Sequence, residues 1–189
     1  CRRAWVPSLR GCFLYRRHFI RSVLWAAALG VSAAGHAAEA PKVLVVGDSL
    51  SAEYGLARGT GWVALLTQKL QADKVPAQVV NASISGDTTA GGRARLPALL
   101  KTHQPKVVVI ALGSNDALRG LSLQATQANL TAMTQAAQQA GAKVLLIGMQ
   151  MPPNYGAAYG KQFSDLFGQV AKANGAALVP FMLKGVADQ

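Results

Sequence analysis

The chain has 189 residues, 51% of them hydrophobic, and carries 19 lysines and arginines against 8 acids. That length and composition suit one domain with a real core. The charge is lopsided: six of the arginines and a single acid, Glu39, precede Pro41, leaving 13 basic against 7 acidic side chains after it. The later basic groups, among them Lys69, Lys74, Arg93, Arg95, Lys101, Arg119 and Lys161, are spread out rather than run together with aromatics, which excludes a nucleic-acid surface.

The first forty residues differ from the rest. Arg16, Arg17 and Arg21 are followed by an apolar run from Ser22 to Ala34 and by small residues at Gly35, Ala37 and Ala38. This is the layout of a secretory signal peptide, with cleavage expected after Ala37 or Ala38 and a mature domain in the periplasm or outside the cell. The alternative is an uncleaved anchor helix, although the run is short for a membrane span. Cys1 to Tyr15 fits neither role and reads as upstream translated sequence. No Met precedes Met133, so either the amino end is not an initiator or a non-Met start codon is used. Both cysteines, Cys1 and Cys12, fall in the presequence, so residues 41–189 need no disulfide.

From Pro41 the pattern alternates strand and helix. Val43 to Val46 is an apolar run that stops at Gly47, Asp48 and Ser49, as a buried strand delivering a serine into a turn would. Gly47 permits a sharp turn there. Two readings stay open at this point: Ser49 is a nucleophile held at a strand end, or Asp48 and Ser49 cap a following helix. Trp62, Leu65, Leu66 and Leu70 have helical spacing and predict a helix packed on a sheet. Ala77 to Ala82 is a second strand, and Ser83 to Thr89 follows it. Leu96, Leu99 and Leu100 predict a short helix with Pro97 in its first turn. Lys106 to Leu112 is a third strand, ending in Gly113, Ser114, Asn115 and Asp116. Leu123, Leu130, Met133 and Ala137 line one face of the next helix, which Gly141 is placed to stop. A fourth strand at Lys143 to Met149, a helix bearing Phe163, Leu166, Phe167 and Val170, and a fifth strand at Ala177 to Phe181 complete the pattern.

Such alternation predicts a parallel sheet with helices on both faces and right-handed crossovers. The polar ends of the first three strands then share one edge, where an open parallel sheet places its chemistry. Asp48, Asp87 and Asp116 each sit beside a small residue just after a strand, where turn or cap roles suit them better than proton transfer. No acids, histidines or cysteines have metal-ligand spacing. Gly91 and Gly92 do not form a phosphate cradle, and there is no G-x-S-x-G elbow. A flavodoxin-like cofactor binder is disfavoured, because the loop after the first strand is short and acidic.

GDSLS at 47–51, SISGDT at 83–88 and GSNDALRG at 113–120, in that order and spacing, resemble the first three blocks of the GDSL, or SGNH, hydrolases. The likeness is greatest to the bacterial exported branch of acyl-CoA thioesterases I, lysophospholipases and arylesterases. It runs from Lys42 to Val186 and takes in MPPNYG at 151–156 and VPFML at 179–183. It implies a flavodoxin-like three-layer α/β/α sandwich with five parallel strands in the order 2-1-3-4-5. It also implies that Ser49 is the acyl-accepting nucleophile, and that the Ser49 and Gly86 backbone N–H groups and the Asn115 amide form an oxyanion hole. Those residue types suit the task, because the oxygen of an attacked ester becomes an anion that needs fixed N–H donors close by. Leu118, Arg119 and Gly120 resemble a mobile loop that contacts the acyl chain, or are plain surface. Tyr155 and Tyr159 line the cleft or pack a Pro-rich turn, and Asp48 stands with Leu118, Arg119 and Tyr155 on the substrate side. Small acyl esters or thioesters, no cofactor, no metal, no membrane span after cleavage and a monomer are expected.

One part of the family pattern is missing. Its closing Asp-x-x-His block, which supplies the general base and the acid that orients it, is not written in these residues. The histidines are His18 and His36, in or beside the presequence, and His103, at the sheet edge opposite Ser49. Asp188 is followed only by Gln189. The chain is therefore expected to be incomplete at its carboxyl end and catalytically crippled as written, the alternative being an impaired binding module that kept the crevice.

Overall fold

The computed structural model describes residues 39–186. The expected presequence with its cleavage point, together with Cys1, Cys12, His18, His36 and Asp188, lies outside the described residues, and the account below concerns the unit from Ala40 onward.

Its elements are β1 (Lys42–Gly47), α1 (Trp62–Ala72), β2 (Gln78–Asn81), α2 (Thr89–His103), β3 (Val107–Ala111), α3 (Ser114–Leu118), α4 (Leu123–Gln139), β4 (Lys143–Ile147), α5 (Ala157–Asn174) and β5 (Ala177–Val179), with a 3-10 turn at Pro153–Tyr155. All the strands pair in parallel, in the order β2-β1-β3-β4-β5, as the resemblance implied. Val45 lies between Asn81 and Val109, and Gly47 faces Ala111. The carboxyl ends of β1 and β3 are therefore neighbours, and whatever follows them shares one crevice.

Successive side chains of a strand point to opposite faces, so the central strands feed two cores. Leu44, Val46, Val108, Ile110, Val144 and Leu146 pack with Leu96 and Leu100 of α2, Leu130 and Met133 of α4, and Phe163 and Phe167 of α5. Phe163 and Phe167, one turn apart, meet edge to face with centroids 5.3 Å apart and planes at 87°. The second core is smaller: Val45 and Val109 pack with Val63 of α1, among partly buried Val43, Trp62, Val79, Val107, Leu145 and Ile147.

The helix faces expected for α4 and α5 are the buried ones. At the end of α4, Gly141 adopts φ +82°, and the N–H groups of Gly141 and Ala142 close on the Gln138 and Ala137 carbonyls at 2.9 and 3.0 Å. Two expectations are corrected. In α1 the expected face loses Leu65, which is 53% exposed, and gains the buried Val63, with Trp62 packed beside it and Leu66 and Leu70 half-buried. In α2 the helix starts at Thr89 and Pro97 lies well inside it rather than in its first turn. Both Pro97 and Arg93 are exposed, so water can serve the Arg93 carbonyl that proline leaves without an N–H, and burial of Leu96 and Leu100 holds the helix together. Strands four and five also end early. A Cβ on Gly148 would lie 2.4 Å from the Pro180 carbonyl oxygen, and Pro180 has no N–H to extend the ladder. Among the described residues no helix is long and apolar enough to cross a membrane.

Candidate active site

At the end of β1 the chain folds back at once. The Ser51 and Ala52 N–H groups donate to the Asp48 carbonyl at 3.1 and 2.9 Å, and Tyr54 N–H donates to that of Ser49 at 3.2 Å. These are turns, and α1 begins only at Trp62, so Asp48 and Ser49 cap no helix directly after β1. Gly47 is required by close approach rather than by its own dihedral: a Cβ there would lie 2.5 Å from Ser51 Oγ. Two distant side chains fasten the turn. Trp62 Nε1 donates to Ser51 Oγ at 3.2 Å, and Asn81 Nδ2, from the end of β2, donates to the Ser51 carbonyl at 2.7 Å. Ser49 stands partly exposed in this anchored turn. Beyond it, the Glu53 carboxylate accepts from Gly59 and Gly61 N–H at 3.0 and 2.9 Å, and these bonds hold its carboxyl below the ordinary glutamate value.

The segment after β2 carries Gly86 with φ +76°, a conformation that suits glycine. Asp87 next to it accepts from Thr88 N–H at 2.9 Å and pairs with Arg95 of α2 at 2.8 Å, largely shielded from water. Arg95 also donates to the Ala82 carbonyl, so one guanidinium clamps both ends of the segment. Arg119 reaches across from the β3 side and donates to the Gly86 carbonyl at 2.8 Å.

After β3, Gly113 at φ +125° leads into the single-turn helix α3, which presents Asn115. The Asn115 amide Nδ2 donates to the Asp87 carbonyl at 2.9 Å and faces Asp48 Oδ2 at 3.4 Å. It thus joins the residue before Ser49 to the residue after Gly86, and the three strand-end segments meet at one amide.

Of the residues expected on the substrate side, Leu118, Arg119 and Tyr155 are exposed, with Leu118 at 51% and Tyr155 at 40%. Tyr159 donates to the Ala117 carbonyl at 3.3 Å. Asp48 is buried, 3% exposed, with Oδ1 accepting from Leu50 N–H at 3.1 Å, and it lines a narrow crevice with Leu50, Leu112, Ser114, Ile147 and Met149. Burial raises its carboxyl above the ordinary aspartate value; the Leu50 N–H and its own N–H oppose this, and the charges of Asp87 and Asp116 add to it. A folded pKa above the unfolded one gives a contribution that is present at acid pH and lost as pH rises through the folded value. Asp48→Asn, neutral throughout, keeps an oxygen for the Leu50 N–H and gives up only the long 3.4 Å contact with Asn115, so it should melt higher than wild type at neutral pH. Each kcal/mol relieved appears as about 2–4 °C in a domain of this size. The gap should close as pH falls; scanning calorimetry across pH checks it.

His103, the one histidine among the described residues, ends α2 and so sits at the amino-terminal edge of the sheet. The length of β3, roughly 17 Å, separates that edge from the one bearing Ser49. Several ties lay beyond sequence reasoning. Asp116, expected in a turn or cap role beside a small residue, instead binds Thr89 at the start of α2, 27 residues away. The Ser51 anchors and the Arg95 clamp likewise join residues that no local motif connects.

The switch point of this doubly wound parallel sheet thus gathers the segments that carry Ser49, the positive-φ Gly86 and the Asn115 amide, and comparison with known proteins places the chain among the serine ester hydrolases. The chain belongs to the GDSL-like Lipase/Acylhydrolase family, whose model matches residues 45–189. It is 52% identical over 167 residues to Esterase TesA of Pseudomonas aeruginosa, covering 88% of this chain and 83% of that protein. It is 45% identical over 150 residues to Thioesterase 1/protease 1/lysophospholipase L1 of Escherichia coli strain K12, covering 79% of this chain and 71% of the relative. The crystal structure of TesA superposes with a TM-score of 0.77 at 55% identity, over 78% of this chain and 82% of that one.

Proposed function

We propose that this ester hydrolase works through an acyl-enzyme on Ser49 and accepts carboxylic esters and thioesters of small to medium acyl groups. The observation that carries the reading is the Asn115 amide held between Asp48 and the Asp87 carbonyl, which brings the Ser49, Gly86 and Asn115 segments together. Ser49 Oγ attacks the carbonyl carbon and gives its proton to a base. The carbonyl oxygen becomes an anion that accepts from the Ser49 and Gly86 N–H groups and the Asn115 amide. The bond to the alcohol or thiol breaks, the leaving group takes the proton, and water then releases the acid. The family pattern assigns that base to a histidine of an Asp-x-x-His segment; His103, at the opposite edge of the sheet, is out of reach of Ser49.

The E. coli relative's name joins thioesterase and lysophospholipase, and the exposed Leu118 and Tyr155 suit an acyl chain on that side. The Arg16–Ala38 pattern supports export to the periplasm or beyond. The position of His103 favours a second reading for the 189 residues taken alone: a crevice that binds acyl compounds without turning them over. Trapping tests the first. A p-nitrophenyl alkylphosphonate should release one equivalent of p-nitrophenol from the native enzyme and leave its phosphonyl group on Ser49, located by mass spectrometry. Label on another residue, or none, overturns the assignment.

A further inference from the structure

Asp116 follows Asn115 in α3, yet its side chain points away from the crevice and is 2% exposed. Buried carboxylates persist where hydrogen bonds satisfy them. Here Oδ2 accepts the Thr89 N–H at 2.9 Å and Oδ1 accepts the Thr89 hydroxyl at 2.5 Å. The Thr126 hydroxyl of α4 approaches Oδ1 at 3.4 Å but lies closer, at 3.1 Å, to the Ser122 carbonyl, so its one proton serves mainly the latter. Asn129 Nδ2, also of α4, donates to Thr89 Oγ1 at 3.1 Å and so fixes the direction in which that hydroxyl gives its proton. The carboxylate thereby grips the first residue of α2, the helix that the Gly86 segment enters.

We infer that Asp116 is the positioning residue of the oxyanion hole, holding the Gly86 N–H and the Asn115 amide at a fixed separation. The inference rests on the roles proposed for Gly86 and Asn115. Two ties define that separation. One runs from Asn115 Nδ2 to the Asp87 carbonyl; the other runs from the neighbouring Asp116 to Thr89, and Gly86 is the residue before Asp87. With the second tie gone, the first becomes a hinge. A misplacement of 1 Å in a catalytic constellation can cost about 10²-fold in rate.

Asp116→Asn weakens the grip on Thr89: an amide NH₂ facing the N–H sets donor against donor, and one facing the hydroxyl makes Oγ1 accept from both it and Asn129, so the Thr89 proton loses its carboxylate partner. Thr89→Val removes the hydroxyl while keeping the backbone donor, and serves if the first variant does not fold. Each should lower kcat for a p-nitrophenyl ester by about 10- to 10²-fold with KM nearly unchanged, and Thr89→Ser should restore most of the rate. A double-mutant cycle separates positioning from mere stability. In an Asn115→Ala background the loss from Asp116→Asn should shrink to about twofold or less. Wild-type kcat in the Asp116→Asn and Thr89→Val variants, or an undiminished loss in the Asn115→Ala background, overturns the inference alone. An Asn115→Ala enzyme with full kcat instead overturns the oxyanion reading and this inference with it.

Discussion

Ser49→Ala lowers kcat for a short-chain p-nitrophenyl ester by about 10⁶-fold in an enzyme that carries an Asp-x-x-His base, the loss that follows removal of a triad serine. The alanine enzyme keeps its donors and binding surface, so a residual rate of about 10³–10⁴ over water remains. Folding is not at issue: Ser49 is partly exposed, and the turn around it is fastened through Ser51 rather than through its own side chain. The same substitution should behave differently in the 189 residues as written, which hold no Asp-x-x-His. Members of a catalytic unit act non-additively, and once the base is gone removal of the nucleophile costs little more. Stopped-flow or single-turnover release of p-nitrophenol in both backgrounds checks the pair of outcomes. Full activity in the alanine variant of the base-containing enzyme would remove Ser49 from the mechanism.

Asn115→Ala should lower kcat by about 10²- to 10³-fold, equivalent to about 2.7–4 kcal/mol of transition-state stabilisation. The reason lies in how the two hydrogens of one amide are used. The bond to the Asp87 carbonyl, at 2.9 Å, is short and holds the side chain in place. The contact with Asp48, at 3.4 Å, is long, so that hydrogen can be taken up by a developing oxyanion at small cost. An interaction made chiefly in the transition state leaves KM near wild type while kcat falls. The variant should also melt slightly lower, because the Asp87 carbonyl loses its partner, at a cost of about 1–3 kcal/mol if it stays dry. A kcat within threefold of wild type, with the fold intact, would exclude Asn115 from the oxyanion hole.

Much of the architecture was legible because it is periodic. Strand-like runs separated by helical spacing predicted a parallel sheet, and the Phe163 to Val170 face and the Gly141 stop follow from side-chain spacing and from a backbone that needs positive φ. The strand order was not periodic information, and only the likeness of three motifs supplied it. Local patterns failed where tertiary packing outweighs propensity. Pro97 sits mid-helix because Leu96 and Leu100 are buried on either side of it, and Leu65 is exposed because the smaller second core is built on Val63. Of the candidate site, the strand-end serine, glycine and asparagine were expected from the three motifs, and the structure brings their segments together at the Asn115 amide. Their supports could not be expected, since Asp116 and Thr89, or Ser51 and Asn81, meet only after the sheet has formed and leave no trace in a linear pattern.

Ser51 and Trp62 are hydrogen-bonded to each other, and the intervening residues bow outward, Tyr54 and Leu56 being 77% and 57% exposed. That arrangement makes the bowed segment a replaceable cassette. Its apolar tips can be exchanged, shortened or recoloured with charge while the hydroxyl at the strand end keeps its place.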